Sequence, residues 1–375
     1  MIQDFPFLEV CSDASGGNLK VPKRDYTETG AIPIIDQGKQ RIGGYTNDRT
    51  FIFRSADLPV VIFGDHTCCV KHASEPFAMG ADGVKILKPK PGIDSKYLYH
   101  FLQQIQLTDG GYDRHFKYLK RIQIPIPFKN GKPDLAEQKR IAAILDKADG
   151  IRRKRREALQ LTDDFLRSCF LDMFGDPVTN PKGWEVVDFK DIGSSRLGKM
   201  LDKGKETGDC QFPYLANFNV RWGYFELDNL REMDFGVADR VEFELKDGDL
   251  LICEGGEVGR AAIWRNKQQN VYFQKALHRV RLDPKKALPE FGQYFMWFMA
   301  KHGGFKDFTN SATIAHLTGA KLKGLPVSLP PLDLQKRFAQ IFLAHESEKA
   351  LATKHLDQCE DLIASLQQRA FKGEL

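Results

Sequence analysis

Long apolar runs are missing from this chain of 375 residues; the longest lie around Val60–Phe63 and Tyr294–Ala300. Both fall far short of the ~20 residues a membrane-spanning helix needs. The opening MIQDFPFLEV lacks a basic segment followed by an apolar one, so no signal peptide is expected. Cysteine is sparse and unpatterned: seven residues, no Cys-x-x-Cys pair, and Cys68 adjacent to Cys69. Such a set argues against a disulfide framework and a Cys-rich zinc site, and a reducing cytoplasm is the expected location. A strong excess of one charge is also absent. Fifty-five Lys and Arg face 50 Asp and Glu, giving a net charge of +5. A mildly basic chain permits a polyanionic partner without demanding one.

Catalytic motifs are missing too. PDLAEQK (Pro133–Lys139) offers an Asp followed by Glu137-x-Lys139. A metal-dependent nuclease, however, needs its carboxylates on separate strands converging on a metal. Asp134 at a helix start is better placed as a cap or a first-turn acid. EGGEVGR (Glu254–Arg260) has no Lys-Ser/Thr ending, so it reads as a turn after a strand at Asp249–Cys253 and not as a phosphate-binding loop. The nine His show no His-Glu-x-x-His and no ligand cluster. Neither a catalytic nor a metal residue is expected.

The chain does contain a long-range repeat. Gln138-Lys139-Arg140 recurs as Gln335-Lys336-Arg337, 197 residues later. At that offset both segments carry a four-three apolar seam over a helix of roughly 35–40 residues, on the order of 55 Å long. The seam runs through Ile141, Leu145, Leu159 and Leu166 in the first helix. In the second it runs through Phe338, Phe342, Leu356, Ile363 and Leu366. Both seams turn polar midway, at Arg152 and Arg155 in one helix and Lys349 in the other. Unpaired cations there would be costly, and Glu157, Glu346 or Glu348 could offset them.

The segments ahead of the helices echo each other as well. AIPIIDQGKQRIGGYTND (Ala31–Asp48) resembles QFPYLANFNVRWGYFELD (Gln211–Asp228), and LPVVIFGD (Leu58–Asp65) resembles GDLLICEGG (Gly248–Gly256). Helix-like SKYLYHFLQQI (Ser95–Ile105) parallels EFGQYFMWFMA (Glu290–Ala300). Proline-rich LKRIQIPIP and LKGLPVSLPP, where Pro forbids helix, lead into the long helices. The expected fold is mixed α+β: two repeated globular domains (1–134 and 176–331) and two long helices (135–175 and 332–375). A repeat of this length is domain duplication and not a solenoid.

Polar and basic side chains interleaved with aromatics cluster in corresponding turns of both units. In the first unit they are Lys39, Arg41, Tyr45, Asn47, Arg49, Lys71, His72, Arg114 and Lys117. In the second they are Lys199, Lys203, Asn217, Asn219, Arg221, Arg260, Arg265, Gln268 and Asn270. Lys and Arg neutralise phosphates, while Arg, Asn and Gln can read base edges in pairs. These are the candidate DNA-binding residues. The block Arg152–Arg156 stays open between a solvated face, a partner surface and a DNA contact.

LAEQKRIAAILDKAD, FLRSCFLDMFGDP, PKGWEVVDFKDIG, PPLDLQKRFAQIF and LIASLQQRAFKGEL resemble recurring phrases of the specificity subunits of type I restriction–modification systems. The resemblance covers essentially the whole chain, except that nothing before Ile32 matches Pro181–Trp184. It implies two target recognition domains, each reading one half of a bipartite duplex DNA site. It implies that the two helices pack antiparallel as a spacer and dock two methyltransferase subunits, through which restriction subunits join. This chain would then be non-catalytic and without a cofactor. S-adenosylmethionine, ATP and Mg would come with the partners. An orphan specificity-like protein or a protein-interaction scaffold is the rival.

Overall fold

The computed structural model describes all residues except 54, 106, 108–113, 203, 205, 266–267 and 307–315. The chain divides into two compact units. One is Met1–Glu157 with Thr353–Leu375, the other Ala158–Ala352. The division falls within both long helices, Leu135–Phe174 and Leu332–Lys372. A partition drawn at the helix ends misses this, because each helix half buries its apolar face in the unit it belongs to.

Both units are built on the same three sheets. In the first, Ile2–Pro6 pairs antiparallel with Gln123–Lys129. A second sheet orders Cys11–Asp13, Val84–Pro89, Val60–Gly64 and Val70–Ala73, all antiparallel. A third joins Lys20–Val21, Ala78–Gly80 and Ile32–Ile35 in parallel and adds Gly44–Thr46 antiparallel. In the second unit Glu185–Asp188 pairs with Pro326–Leu329. Gly193–Leu197, Leu277–Leu282, Leu250–Cys253 and Ala261–Ile263 repeat the four-stranded sheet. Gln211–Leu215 lies between Arg231–Asp234 and the parallel Tyr272–Phe273, with Lys199 bridging to Gln274.

Side-chain patterns explain these strands. Val60–Gly64 is buried at every position, so its sequence is a continuous apolar run, as expected of a strand covered on both faces. In Gln123–Lys129, Ile124 and Ile126 are fully buried and alternate with Pro125 and Pro127. Proline removes ladder donors, and over Pro125 and Pro127 the strand pairs only with Ile2–Pro6, while Lys132–Pro133 joins it beyond them at Phe128 and Lys129. That N-terminal strand is the counterpart of Glu185–Asp188 despite the missing Pro-Lys-Gly-Trp. The short helix after it repeats too: Phe7 and Val10 are buried as Phe189 and Ile192 are.

The repeated Gln-Lys-Arg has a structural cause. Gln138 and Gln335 are both 0% exposed. The Gln138 carbonyl accepts the Asp94 N–H at 2.9 Å, and its amide donates to the Gly92 carbonyl at 3.0 Å. Gln335 accepts the Leu288 N–H at 2.9 Å and donates to the carbonyls of Lys286 at 3.1 Å and Pro330 at 2.9 Å. Asp94 and Leu288 are the N-caps of the short helices Ser95–Gln104 and Pro289–Lys301. One buried amide thus ties each long helix to a short helix of the adjacent globular part. Asp134 is the cap expected from sequence, accepting the Glu137 N–H at 3.1 Å. Glu137 forks onto Arg140 at 2.7 and 2.8 Å.

The helix halves run antiparallel in each unit. In the first, Ile141, Ala142 and Leu145 share a core with Ala370 and Phe371. Phe371 packs edge-on against Tyr97 and Phe101 of the short helix, at 5.2 and 5.1 Å. In the second, Phe338 and Phe342 share a core with Leu166, Phe170 and Phe174. Phe174 meets Phe291 edge-on at 5.3 Å. The strict heptad would point Cys169 and Met173 inward, yet Phe170 and Phe174 are the buried pair. A helix of 3.6 residues per turn drifts from a 3.5 repeat over several heptads. Ile363 is buried, whereas Leu159, Leu356 and Leu366 are only half-buried.

Midway the contacts are polar, and the partners differ from those expected. Asp149 takes Arg152 and Arg153, Glu360 takes Arg156, and Asp163 takes Lys349 at 2.8 Å. Among the described residues no ion pair joins Glu157, Glu346 or Glu348 to these cations; Glu346 lies 3.6 Å from His345. Arg155 is exposed and lies off the seam, for the same reason of helical drift.

Two outcomes are expected. Gln138→Leu or Gln335→Leu leaves buried N–H and C=O groups unpaired, which costs roughly 1–3 kcal/mol. Hydrogen exchange should accelerate locally, at Gly92–Asp94 for the first variant and Lys286–Leu288 for the second. The second outcome concerns His72 and His100, whose pKa values burial lowers; Asp146, 2.9 Å from His100 Nε2, only partly offsets this. The unfolded chain therefore takes up protons first as pH falls. First-unit stability should drop below about pH 6.5, the ordinary His value, and His100→Gln should flatten thermal stability against pH over that window.

Candidate nucleic-acid interface

The turn carrying Lys39 and Arg41 joins the strands Ile32–Ile35 and Gly44–Thr46. Asp36 shapes it by accepting the Gly38 N–H at 2.9 Å. Lys71 donates to the Asp36 carbonyl at 2.7 Å and lies 3.6 Å from its carboxylate, with Lys23 at 3.3 Å. Burial alone would raise the Asp36 pKa, but the Gly38 N–H, Lys71 and Lys23 together hold it below the usual carboxylate value. A Cβ on Gly43 would come 2.5 Å from the Asp36 carboxylate, so a larger residue there would push that carboxylate from its place in the turn. Lys71 is buried at 7% exposure and acts as a strut for this turn rather than as a surface cation.

Lys39, Arg41 and Arg49 are exposed and form no ion pair among the described residues. Arg49 is presented by a single helical turn that the Asp48 side chain caps. Asn47 is exposed but its carbonyl accepts the Ala31 N–H at 2.9 Å. Tyr45 is half-buried in the Gly44–Thr46 strand. His72 projects to Ser95, 2.9 Å from its hydroxyl. Arg114 and Lys117 are exposed beside the turn that Asp65 anchors through the Phe116 N–H at 2.8 Å. Lys39, Arg41, Lys71 and His72 line one cleft of about 370 Å³.

The sequence reading missed Lys96, Tyr99 and Gln103, which face the same cleft. Their spacing on the polar side of the Ser95–Gln104 helix was the available signal.

In the second unit many candidates turn inward. Asn219 is 2% exposed; its side chain accepts the Ala216 N–H at 2.9 Å and donates to the Glu226 carbonyl at 3.0 Å. Asn217 donates to the Gly255 carbonyl at 2.7 Å, and Arg260 donates to the Asn217 backbone and side-chain oxygens at 2.8 and 2.6 Å. Asn217 and Arg260 lock the turn Glu254–Arg260 onto the loop at 216–219, and Asn219 braces that loop from within; of their side chains only the buried Arg260 Nε lacks a hydrogen-bond partner among the described residues. Lys199 pairs with Asp239 at 2.7 Å, and Arg265 with Glu290. Arg221 forks onto Glu226 at 2.9 and 3.0 Å in an exposed position. Gln268 and Asn270 are exposed, the latter in a left-handed turn at φ 60°. Lys203 lies outside the described residues. The neighbouring loop is set by Asp234. Burial would raise its pKa, but the N–H groups of Gly208 and Thr207 and the Gln211 amide hold it down at about 2.

The sequence matches the profile of the type I restriction modification DNA specificity domain over residues 8–161 and 181–360. It is 33% identical over 229 residues to the EcoR124I/EcoR124II specificity subunit of Escherichia coli, covering 59% of this chain. That alignment spans only 54% of the relative's length. With the EcoKI specificity subunit of Escherichia coli it shares 24% identity over 319 residues, 77% of this chain and 68% of the relative. The fold matches the crystal structure of a type I S subunit from M. genitalium, with a TM-score of 0.61 at 15% identity, over 99% of this chain and 96% of that one. No helix among the described residues is long and apolar enough to cross a membrane. Two matched segments cover most of the sequence and coincide with its duplicated halves: the chain belongs to the type I restriction modification DNA specificity family.

Proposed function

We propose that this chain is the DNA-reading subunit of a type I restriction–modification assembly and catalyses nothing itself. Each globular unit reads one half of a bipartite duplex site. The long helices set the gap between the halves and dock two methyltransferase subunits, through which restriction subunits join. S-adenosylmethionine enters with the methyltransferase subunits, ATP and Mg with the restriction subunits.

The duplication carries this reading. One three-sheet plan occurs twice, and each copy packs on antiparallel halves of the same two helices. A repeated reader suits a duplex whose strands are themselves related by local dyads. The exposed turns with Lys39, Arg41 and Arg49 in the first unit, and Arg221, Gln268 and Asn270 in the second, supply the phosphate and base-edge chemistry. Docking is supported by large apolar side chains left open on the helices. Leu161 and Phe165, one helical turn apart, are 62% and 60% exposed, and Leu351 and Leu362 are similarly open. Exposed apolar patches of this kind mark protein interaction sites.

Methylation mapping in cells expressing this chain with its methyltransferase subunits tests the proposal. Two methylated adenines flanking an unspecified gap are expected. Deleting one heptad from both helices should shorten that gap and leave the half-sites unchanged. A continuous motif, or a gap indifferent to the deletion, would count against it.

A further inference from the structure

The basic block of the first long helix is where the fold leaves charge unexplained. Arg152, Arg153 and Arg156 line the same cleft as Lys39, Arg41 and Lys96. Seven Lys and Arg side chains border it against two carboxylates, Asp146 and Asp149. Both carboxylates are already engaged, Asp146 by Lys96 and by His100 at 2.9 Å and Asp149 by Arg152 and by Arg153 at 3.2 Å, while Asp36 and Glu360 take Lys71 and Arg156. A surplus of cation therefore remains, and it includes Lys39 and Arg41. Arg153 and Arg156 keep 64% and 55% of their side-chain surface exposed. Lys154 and Arg155, also exposed, do not border the cleft.

The internal repeat supplies a comparison within the molecule. At the same 197-residue offset, Arg153 to Arg156 correspond to Ala350, Leu351, Ala352 and Thr353. A second-unit cleft bordered by Glu346, at the position equivalent to Asp149, holds one cation, Arg265, and one acid. A surface serving the same kind of protein partner in both halves has no reason to be basic in one and apolar in the other. A contact to DNA does, because the two half-sites and their flanks need not be alike.

We infer that Arg153 and Arg156 bind the phosphodiester backbone of duplex DNA beside the half-site read by the first unit. The spacer helix is then a phosphate-contacting element of that unit as well as a ruler. Guanidinium forks fit phosphate oxygens in pairs. The Arg156–Glu360 pair is exposed on both sides and weak enough to exchange for them, and Asp149, which is mostly buried, keeps Arg152 when Arg153 turns to phosphate. This rests on the DNA-reading function proposed above.

The test is the salt dependence of binding of the full chain to a mixed-sequence duplex. Wild type is compared with Arg153→Ala/Arg156→Ala, with Arg153→Lys/Arg156→Lys, and with the charge-matched Lys154→Ala/Arg155→Ala. The slope of log affinity against log salt should fall by about 2 in the first variant, about 1 per lost phosphate contact. It should recover in the lysine variant and stay at the wild-type value in the charge-matched control. An unchanged slope in the first variant, or an equal fall in the control, overturns the inference while leaving DNA reading intact. Failure of the wild-type chain to bind duplex overturns both. Unchanged DNA binding with reduced recovery of methyltransferase subunit would instead assign the block to a protein partner, and overturn it too.

Discussion

A single buried amide at the start of each long helix fixes the geometry on which the rest depends. Gln138 and Gln335 each tie a long helix to the N-cap of a short helix and the turn just before that cap, and Gln335 also holds the Pro330 carbonyl ahead of its own helix. Buried polar groups left unpaired are costly, so losing the amide would loosen both contacts of the clamp. In the first unit the short helix so held presents Lys96, Tyr99 and Gln103 to the cationic cleft. The same clamp sets where Arg153 and Arg156 lie relative to Lys39 and Arg41. A residue that touches no ligand thereby positions the residues that would.

Polar side chains in the two units divide by burial into supports and contacts. Asn219, Asn217, Arg260 and Lys71 are engaged by backbone and carboxylate groups of their own unit, so their loss would be felt as stability. Lys39, Arg41 and Arg49 are open to solvent, where a cation adds little to stability and is available to a polyanion. The second unit is more rigidly cross-linked around its turns, and its exposed candidates reduce to Arg221, Gln268 and Asn270 together with the part of Arg265 that Glu290 leaves open.

Much of this was legible in the sequence. The repeated Gln-Lys-Arg, the apolar ends and polar middle of the helices, the proline-punctuated strands and the turn at Glu254–Arg260 follow from periodicity and turn chemistry. The N-terminal strand and its short helix did not, because their likeness to Glu185–Ile192 rests on little more than Phe7 and Val10 matching Phe189 and Ile192. Inward Phe170 and Phe174 were missed because a strict heptad ignores helical drift. Asn219 and Arg260 looked like base readers because side-chain chemistry alone cannot tell a donor facing DNA from one closing a loop; only burial separates them. Lys96 and Gln103 went unnoticed because their importance comes from the wall they share with another helix.

The central claim is that two units of one chain read two separated segments of duplex. Dimethyl sulfate footprinting of the full assembly on a duplex carrying the mapped site tests it most directly. Two clusters of protected bases separated by reactive ones are predicted, with Arg41→Ala/Arg49→Ala weakening one cluster only. A single continuous protected segment, or both clusters lost together in that variant, would contradict it.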